Sequence, residues 1–220
     1  MNIILLFIEI LFSSFTLIYL YKKNKYDGIY LWIILFSIIV GIISQKVVEI
    51  FGLAINLGFV INTLLFIATN ILVQKKGPNE VNKVLSIIVL SNVALYCFSI
   101  ISTIIGESSI NEFNNKAFDQ IFYLNNRIYF ASIISLMISL WFNSILYHQI
   151  RQIKNKILIS NILSTLIMHF VESILFCVIS YTFKITFINV IELIVIRYIF
   201  KVTIGLIGTS IIYIVNDIER

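Results

Sequence analysis

Long runs of hydrophobic residues, separated by short polar connections, fill almost the whole chain. Seven such blocks are visible, at about 2–21, 29–48, 55–74, 81–105, 127–149, 157–182 and 186–215. Most of them are close to the ~20 residues that a helix needs to cross the hydrocarbon core of a bilayer. The pattern predicts an all-α polytopic membrane protein, a bundle of six to seven transmembrane helices that forms a single domain over residues 1–220.

The last block differs from the others in length and in charge. Its length exceeds a straight crossing, at ~1.5 Å per residue against ~30 Å of hydrocarbon. It also contains charged residues and glycines: Glu192, Arg197, Lys201, Gly205 and Gly208. We expect either a short interfacial piece followed by a spanning helix, or one tilted and broken helix.

Composition excludes a water-soluble domain. The chain is 60% hydrophobic and 12% charged, whereas ordinary globular chains are about 45–50% apolar and about 25% charged. The net charge of +5 does not indicate nucleic-acid binding, because the basic residues are concentrated in the short loops between blocks. Cys97 and Cys177 lie inside hydrophobic blocks, so we expect small buried side chains rather than a disulfide or zinc framework.

The loops alternate in charge along the chain. Basic residues occupy the first, third and fifth loops, namely Lys22, Lys23, Lys25, Lys75, Lys76, Lys83, Arg151, Lys154 and Lys156. The fourth loop is acidic, and its segment 118–124 has the pattern of a short interfacial helix. Because basic loops stay in the cytoplasm, we predict a protein of the cell membrane with its N-terminus outside the cell and its C-terminus in the cytoplasm.

Ionisable and polar residues within hydrophobic blocks are functional candidates, because a charge at the bilayer centre costs about 2.5 to 17 kcal/mol. His169 and Glu172 are three residues apart in the stretch NILSTLIMHFVESILF. Residues three or four apart share a helix face, so Thr165 and Phe176 join them in one stripe, with Ser173 beside it. Such a stripe is typical of a pocket for a flat polar ligand. A buried His169–Glu172 pair that only stabilises the bundle is the structural alternative.

Other kinds of chemistry find less support in the sequence. An HxxE pair on a helix can bind metal in carboxylate bundles, but a second Glu-x-x-His motif is absent. The chain also lacks H-E-x-x-H, G-x-S-x-G and a glycine-rich phosphate loop. We therefore predict a protein that is not an enzyme and that uses no metal or cofactor. Asn62 and Asn70 can alternatively act as hydrogen-bonding contacts between helices.

Several stretches together resemble one family of transporters. They are SQKVVEIFGLAINLGFV, ATNILVQKKGPNEVNKV, NRIYFASIISLMISLWFNSILYH, NILSTLIMHFVESILF and FKVTIGLIGTSIIYIV. In this order and spacing they resemble the queuosine-precursor transporter family, also described as vitamin uptake transporters, from about Leu31 to Tyr213. The resemblance implies a membrane protein that imports a 7-deazaguanine-type base, such as the nitrile or aminomethyl precursor or queuine, for tRNA modification.

The resemblance also implies which residues face the ligand. They are Ser164, Thr165, His169, Glu172 and Ser173, to which we add Phe176, Asn143 and Asn70 on chemical grounds. One carboxylate accepts both the ring N–H and the exocyclic amine of a guanine-like edge, and an aromatic ring stacks on its face. We assign the carboxylate to Glu172, the ring to Phe176 and amide contacts to Asn143 and Asn70. His169 is expected to orient Glu172 or to titrate during transport.

The chain departs from the family pattern at several of these positions. Asn70, Gln74 and Asn143 stand where the family usually has acids. His169 replaces a glutamine and Glu172 an aspartate, while Ser160 and Ser210 replace an arginine and a proline. An altered ligand or altered ion coupling is therefore expected.

Two other functions stay open beside import of a base. The chain can be the substrate-binding membrane subunit of an energy-coupling vitamin transporter, or a membrane receptor or scaffold that transports nothing. The expected partners are a deazapurine base and the lipid bilayer but no nucleic acid, with a second copy of the chain or an energy-coupling module left open.

Overall fold

The computed structural model describes residues 2–105 and 126–218 of the chain. In these ranges the order of elements is α1 Asn2–Ile43, β1 Val47–Ile50, β2 Leu53–Asn56, α2 Phe59–Lys76, α3 Asn79–Ile104, α4 Asn126–Lys154, α5 Ile157–Tyr181, α6 Phe187–Gly208 and α7 Ser210–Asp217. The predicted interfacial helix at 118–124 lies outside the described residues. The helical architecture predicted from the hydrophobic blocks is confirmed.

Helix α1 consists of two arms that run in opposite directions. Lys25 has a non-helical backbone, with φ 49° and ψ −124°, and separates residues 2–24 from residues 26–43. The indole N–H of Trp32 donates to Thr16 Oγ1 over 3.1 Å, although sixteen residues of straight helix would span ~24 Å. Gly28 lies at the crossing, where a side chain would clash with the carbonyl of Leu20. The two arms match the first two predicted blocks.

A short β-hairpin interrupts the helices where the sequence predicted continuous hydrophobic blocks. Strands β1 and β2 pair antiparallel, with Val47 opposite Asn56 and Ile50 opposite Leu53. Phe51 and Gly52 form the turn and both have positive φ. The predicted end of the block 29–48 and the predicted start of the block 55–74 are therefore wrong, because both fall in the hairpin. The run is apolar enough to resemble a span, but its β-branched residues and FG turn favour a hairpin.

Helix α2 is the centre of the bundle. Every residue from Phe59 to Val73 is buried, and α2 contacts each of the other described helices. The helix ends at Gly77, whose φ of 89° suits a residue without a side chain. Pro78 then precedes α3, a position where its missing N–H costs nothing.

Four of the described helices are long and apolar enough to cross a membrane, namely Asn2–Ile43, Asn79–Ile104, Arg127–Lys154 and Ile157–Tyr181. Helix α2 is enclosed by its neighbours. Helix α6 buries one face, which includes Arg197 and Lys201, and exposes apolar side chains such as Ile199 on the other. The last block forms α6 and α7, which are divided at Thr209. The expected break is therefore present, while the tilt of this block in the membrane stays a prediction. The chain is a multi-pass membrane protein.

The basic loops lie at one end of the bundle. Lys76 sits over the ring of Tyr26, 4.5 Å from its centroid, which joins the first and third loops. At the opposite end, Asn2 Nδ2 donates to the backbone oxygen of Glu49 over 3.0 Å, and Tyr181 donates to Asn56 Oδ1 over 3.3 Å. This arrangement agrees with the alternation of charge, while the side of the membrane on which each end lies stays a prediction.

Candidate binding site in the bundle core

A polar stripe runs along one face of the central helix α2. Asn62, Phe66, Asn70 and Gln74 follow one another at intervals of four residues, a spacing that places side chains on the same helix face. Asn62, Phe66 and Asn70 have no exposed surface. From Asn62 to Gln74 the stripe covers ~18 Å along the helix axis.

Helix α5 presents a matching stripe and runs antiparallel to α2. Asn62 Nδ2 donates to Glu172 Oε1 over 2.9 Å, and Asn70 Nδ2 donates to Asn161 Oδ1 over 2.7 Å. Between these hydrogen bonds, the rings of Phe66 and His169 meet edge to face with centroids 4.6 Å apart. The two helices therefore form a ladder of polar and aromatic contacts through the interior of the bundle.

Glu172 forms a buried ion cluster with two cations of α6. Arg197 Nη2 donates to Glu172 Oε1 over 3.0 Å, and Lys201 Nζ donates to Glu172 Oε2. Glu172 and Lys201 have no exposed surface, and Arg197 is 4% exposed. Arg197 and Lys201 are four residues apart and so share a face of α6. With the amide of Asn62, the carboxylate receives three donors.

The guanidinium of Arg197 is only partly satisfied by this cluster. Its Cζ lies 3.9 Å from the centroid of the Phe176 ring, a cation–π geometry. Among the residues that the structure describes, Nε and Nη1 have no hydrogen-bond partner. Phe176, predicted to stack on a ligand, thus stacks on a cation in this conformation.

His169 is buried but does not bond to Glu172. Its exposed fraction is 1%, and neither ring nitrogen has a hydrogen-bond partner within the described ranges. The structural alternative of a His169–Glu172 pair is wrong, because the ring turns toward Phe66 and the carboxylate toward α6. A space of about 10 Å³ lies beside His169 between α5 and α6, lined also by Thr165 and Gly205; this is close to the smallest space that can hold one water molecule.

A second polar cluster lies nearer the end with the basic loops. Asn143 Nδ2 donates to Asn70 Oδ1 over 2.7 Å, and Asn161 Nδ2 donates to Thr209 Oγ1 over 2.9 Å. Asn70 is eight residues from Asn62 on α2, which places this amide cluster ~12 Å from the level of Glu172. The structure therefore does not bring Asn70 and Asn143 together with Glu172 around one small ring.

The hydroxyl residues of the predicted site are buried on the expected face of α5. Ser164 and Thr165 donate to the backbone oxygen of Asn161 over 3.2 and 2.6 Å, and Ser173 donates to that of His169 over 2.7 Å. Their hydroxyl protons are thus used within the helix, and their oxygens keep acceptor capacity toward the core.

The polar ladder leads toward a cavity between the loops at the basic end. Gln74 and Tyr147 lie one turn beyond Asn70 and Asn143, and the hydroxyl of Tyr147 donates to Gln74 Oε1 over 3.4 Å. Both residues line a cavity of about 450 Å³, together with Lys75, His148 and Arg151. A ladder of polar and aromatic side chains therefore leads from Glu172 toward an open, basic vestibule.

Sequence reasoning missed some members of both clusters as site residues: Asn62, Asn161, Arg197 and Lys201. The signal was present, since Arg197 and Lys201 stand four apart in a hydrophobic block and need a buried counter-ion. Asn62 and Asn70 also fit the expected role of contacts between helices. Within the described part of the chain, no group of three His, Cys, Asp or Glu side chains could hold a metal ion.

A helical membrane bundle with ionisable and amide side chains turned inward is the architecture of proteins that bind or move small polar solutes. A family model described as putative vitamin uptake transporter matches residues 56–215. The chain belongs to this family, which confirms the resemblance read from the sequence. The match begins at the end of β2, later than the Leu31 at which the resemblance was expected to begin.

One similar protein carries a more specific description. The probable queuosine precursor transporter of Bacillus subtilis (strain 168) is 27% identical over 119 residues, which are 54% of this chain and 52% of that protein. The match therefore spans about half the length of this curated relative. No solved structure matches the chain.

Proposed function

We propose that this protein imports a queuosine precursor, a 7-deazaguanine-type base, across the cell membrane. The observation that carries the proposal is the buried carboxylate of Glu172, which lies among the donors Asn62, Arg197 and Lys201 and near the ring of Phe176. A guanine-like edge has two adjacent N–H donors for the carboxylate and one carbonyl acceptor. Membership of a family of putative vitamin uptake transporters supports import of a small solute. The similar protein from Bacillus subtilis, a probable queuosine precursor transporter, supports a base of this type.

Binding requires an exchange of partners, because the carboxylate of Glu172 already receives three donors. In the proposed complex the base donates to Glu172 in place of Asn62 and one cation, and the displaced cation donates to the carbonyl of the base. The ring of Phe176, which now stacks on the guanidinium of Arg197, then stacks on the face of the base instead. In this proposal the ion pairs of α6 hold the site closed until a ligand with both donors and acceptors replaces them.

The moving element in this exchange is helix α6. It packs closely on α2 through Gly208, where a Cβ atom would lie 2.4 Å from Ile67 Cδ1. The small residue allows tight contact without interlocking side chains. Displacement of α6 from α5 would open the layer of Glu172, and the ladder of Asn70, Asn143 and Asn161 would then guide the base toward the basic vestibule.

Uptake of radiolabelled base tests the proposal. Cells that cannot make or import the precursor, expressing only this chain, are expected to accumulate the base and to regain queuosine in their tRNA. Tight binding by the purified protein without accumulation in these cells would instead support the subunit of an energy-coupling transporter. If the nitrile, aminomethyl and queuine bases are neither bound nor accumulated, the remaining function is that of a receptor or scaffold that transports nothing.

A further inference from the structure

The charges of the buried cluster do not balance. Arg197 and Lys201 face one carboxylate, Glu172, and arginine stays protonated in proteins. The other acids near these helices are directed elsewhere: Glu192 is exposed on α6, and Glu9 lines a separate cavity with Lys46. Among the described residues, the cluster therefore carries no carboxylate beyond the one that its own cations require.

The spare hydrogen-bonding capacity of the cluster consists mainly of donors. Arg197 is 96% buried, since 4% of it is exposed, yet its Nε and Nη1 have no partner among the residues described. Leaving a buried donor unpaired is costly, more so when it is charged. A ligand that offers acceptors to this guanidinium would remove that cost.

We propose that the cluster of Glu172, Arg197 and Lys201 selects a neutral or anionic, acceptor-bearing base and rejects a base with a positively charged substituent. The inference rests on the proposed function, whose substrates it narrows to those without a positive charge. With Lys201 protonated beside Glu172, the cluster has one positive charge in excess, so no carboxylate is left for a ligand ammonium. Charge repulsion in a buried site acts without direct contact, so the position of the substituent on the ring matters less than its charge.

The side chains between the cluster and the vestibule point the same way. Asn70, Gln74 and Asn143 lie along this path, and each is neutral. Asn70 and Asn143 bond to each other, and Gln74 accepts from Tyr147. Among the residues that the structure describes along this path, none is a carboxylate that could compensate an ammonium group.

Three deazaguanines with the same ring and different substituents test the inference on the wild-type protein. The nitrile is neutral, the carboxylate is anionic and the aminomethyl group is cationic at neutral pH. In competition against radiolabelled nitrile base, the aminomethyl base is expected to bind roughly tenfold or more weakly than the nitrile. Equal or tighter binding of the aminomethyl base would overturn the inference while leaving base transport intact. Failure of all three bases to bind would overturn the proposed function and the inference with it.

A matched pair of lysine variants tests the cause. Lys201→Gln keeps an N–H donor toward Glu172 but removes one positive charge, so the preference for nitrile over aminomethyl base is expected to shrink by roughly tenfold. Lys184→Gln changes the same charge in an exposed loop and is expected to leave the preference unchanged. The preference is a ratio of two affinities measured on the same sample. A smaller fraction of folded protein therefore affects both measurements equally and does not change the ratio. An unchanged ratio in Lys201→Gln would overturn the assignment.

Discussion

Asn62 of α2 donates a hydrogen bond to Glu172 of α5 over 2.9 Å, across 110 residues of sequence. This bond joins the two polar stripes at the level where the carboxylate also meets Arg197 and Lys201. A buried carboxylate with three donors is a fixed acceptor in an apolar surrounding, which makes it both a structural centre and a recognition element. Measurements of stability and of uptake on single and double variants separate these two roles.

Replacing Glu172 tests the ion cluster. Glu172→Gln leaves Arg197 and Lys201 buried without a counter-ion, and loss of one partner of a buried ion pair costs about 3–5 kcal/mol. We expect a markedly lower melting temperature of the purified protein and loss of uptake. Glu192→Gln makes the same chemical change on an exposed position of α6 and should alter neither. Wild-type stability of Glu172→Gln would contradict the cluster as described.

A double variant then separates folding from recognition. Glu172→Gln with Lys201→Gln removes one of the two uncompensated cations, so part of the lost thermal stability should return. Uptake should stay absent, because the carboxylate that accepts the two donors of the base is still missing. Recovery of uptake together with stability would show that Glu172 serves the fold alone.

Replacing His169 is expected to affect uptake but not stability. Since neither ring nitrogen has a partner in the described structure, His169→Leu removes buried polar atoms without breaking a hydrogen bond. We expect thermal stability to be unchanged or higher, while uptake falls if the imidazole contacts the base or its path. A strongly destabilised His169→Leu would indicate a hydrogen bond that the structure does not contain.

The amide cluster allows a graded comparison. Asn70 accepts from Asn143 and donates to Asn161, whereas Asn143 has only the first of these bonds. Hydrogen bonds between membrane helices average ~0.6 kcal/mol, so Asn70→Leu should destabilise the bundle about twice as much as Asn143→Leu. Chemical denaturation of both single variants and the double variant measures the coupling. Additive effects would exclude the bond between them.

The orientation in the membrane rests on the basic loops. Asn155 lies between α4 and α5 at the basic end, and Phe183, which is 97% exposed, follows α5 at the other end. In a protein with Cys97 replaced by serine, Phe183→Cys should react with an impermeant thiol reagent in intact cells. Asn155→Cys should react only after permeabilisation. Labelling in the reverse order would place the N-terminus in the cytoplasm.

Much of the fold could be predicted from local sequence. A spanning helix is defined by the hydropathy of about 20 consecutive residues, so each block could be assigned without knowledge of its neighbours. The inward face of α5 followed from spacing for Thr165, His169, Glu172, Phe176 and Ser173, whereas Ser164 was expected there from the family resemblance. The structure buries all six side chains. The hairpin at β1 and β2 was missed, because a short apolar run is compatible with a helix end as well as with a strand.

The partners of the polar residues were decided by tertiary structure. Spacing placed His169 beside Glu172, yet the packing of α2 turned one side chain to Phe66 and that of α6 turned the other to Arg197 and Lys201. Asn70 and Asn143 were correctly expected in the core, but their distance from Glu172 depends on the antiparallel register of α2 and α5. Hydropathy and helical spacing act within one segment, so the sequence determines which residues enter the bundle and on which face. Hydrogen bonds and ion pairs between helices depend on register and rotation, which only the packing of the whole bundle fixes.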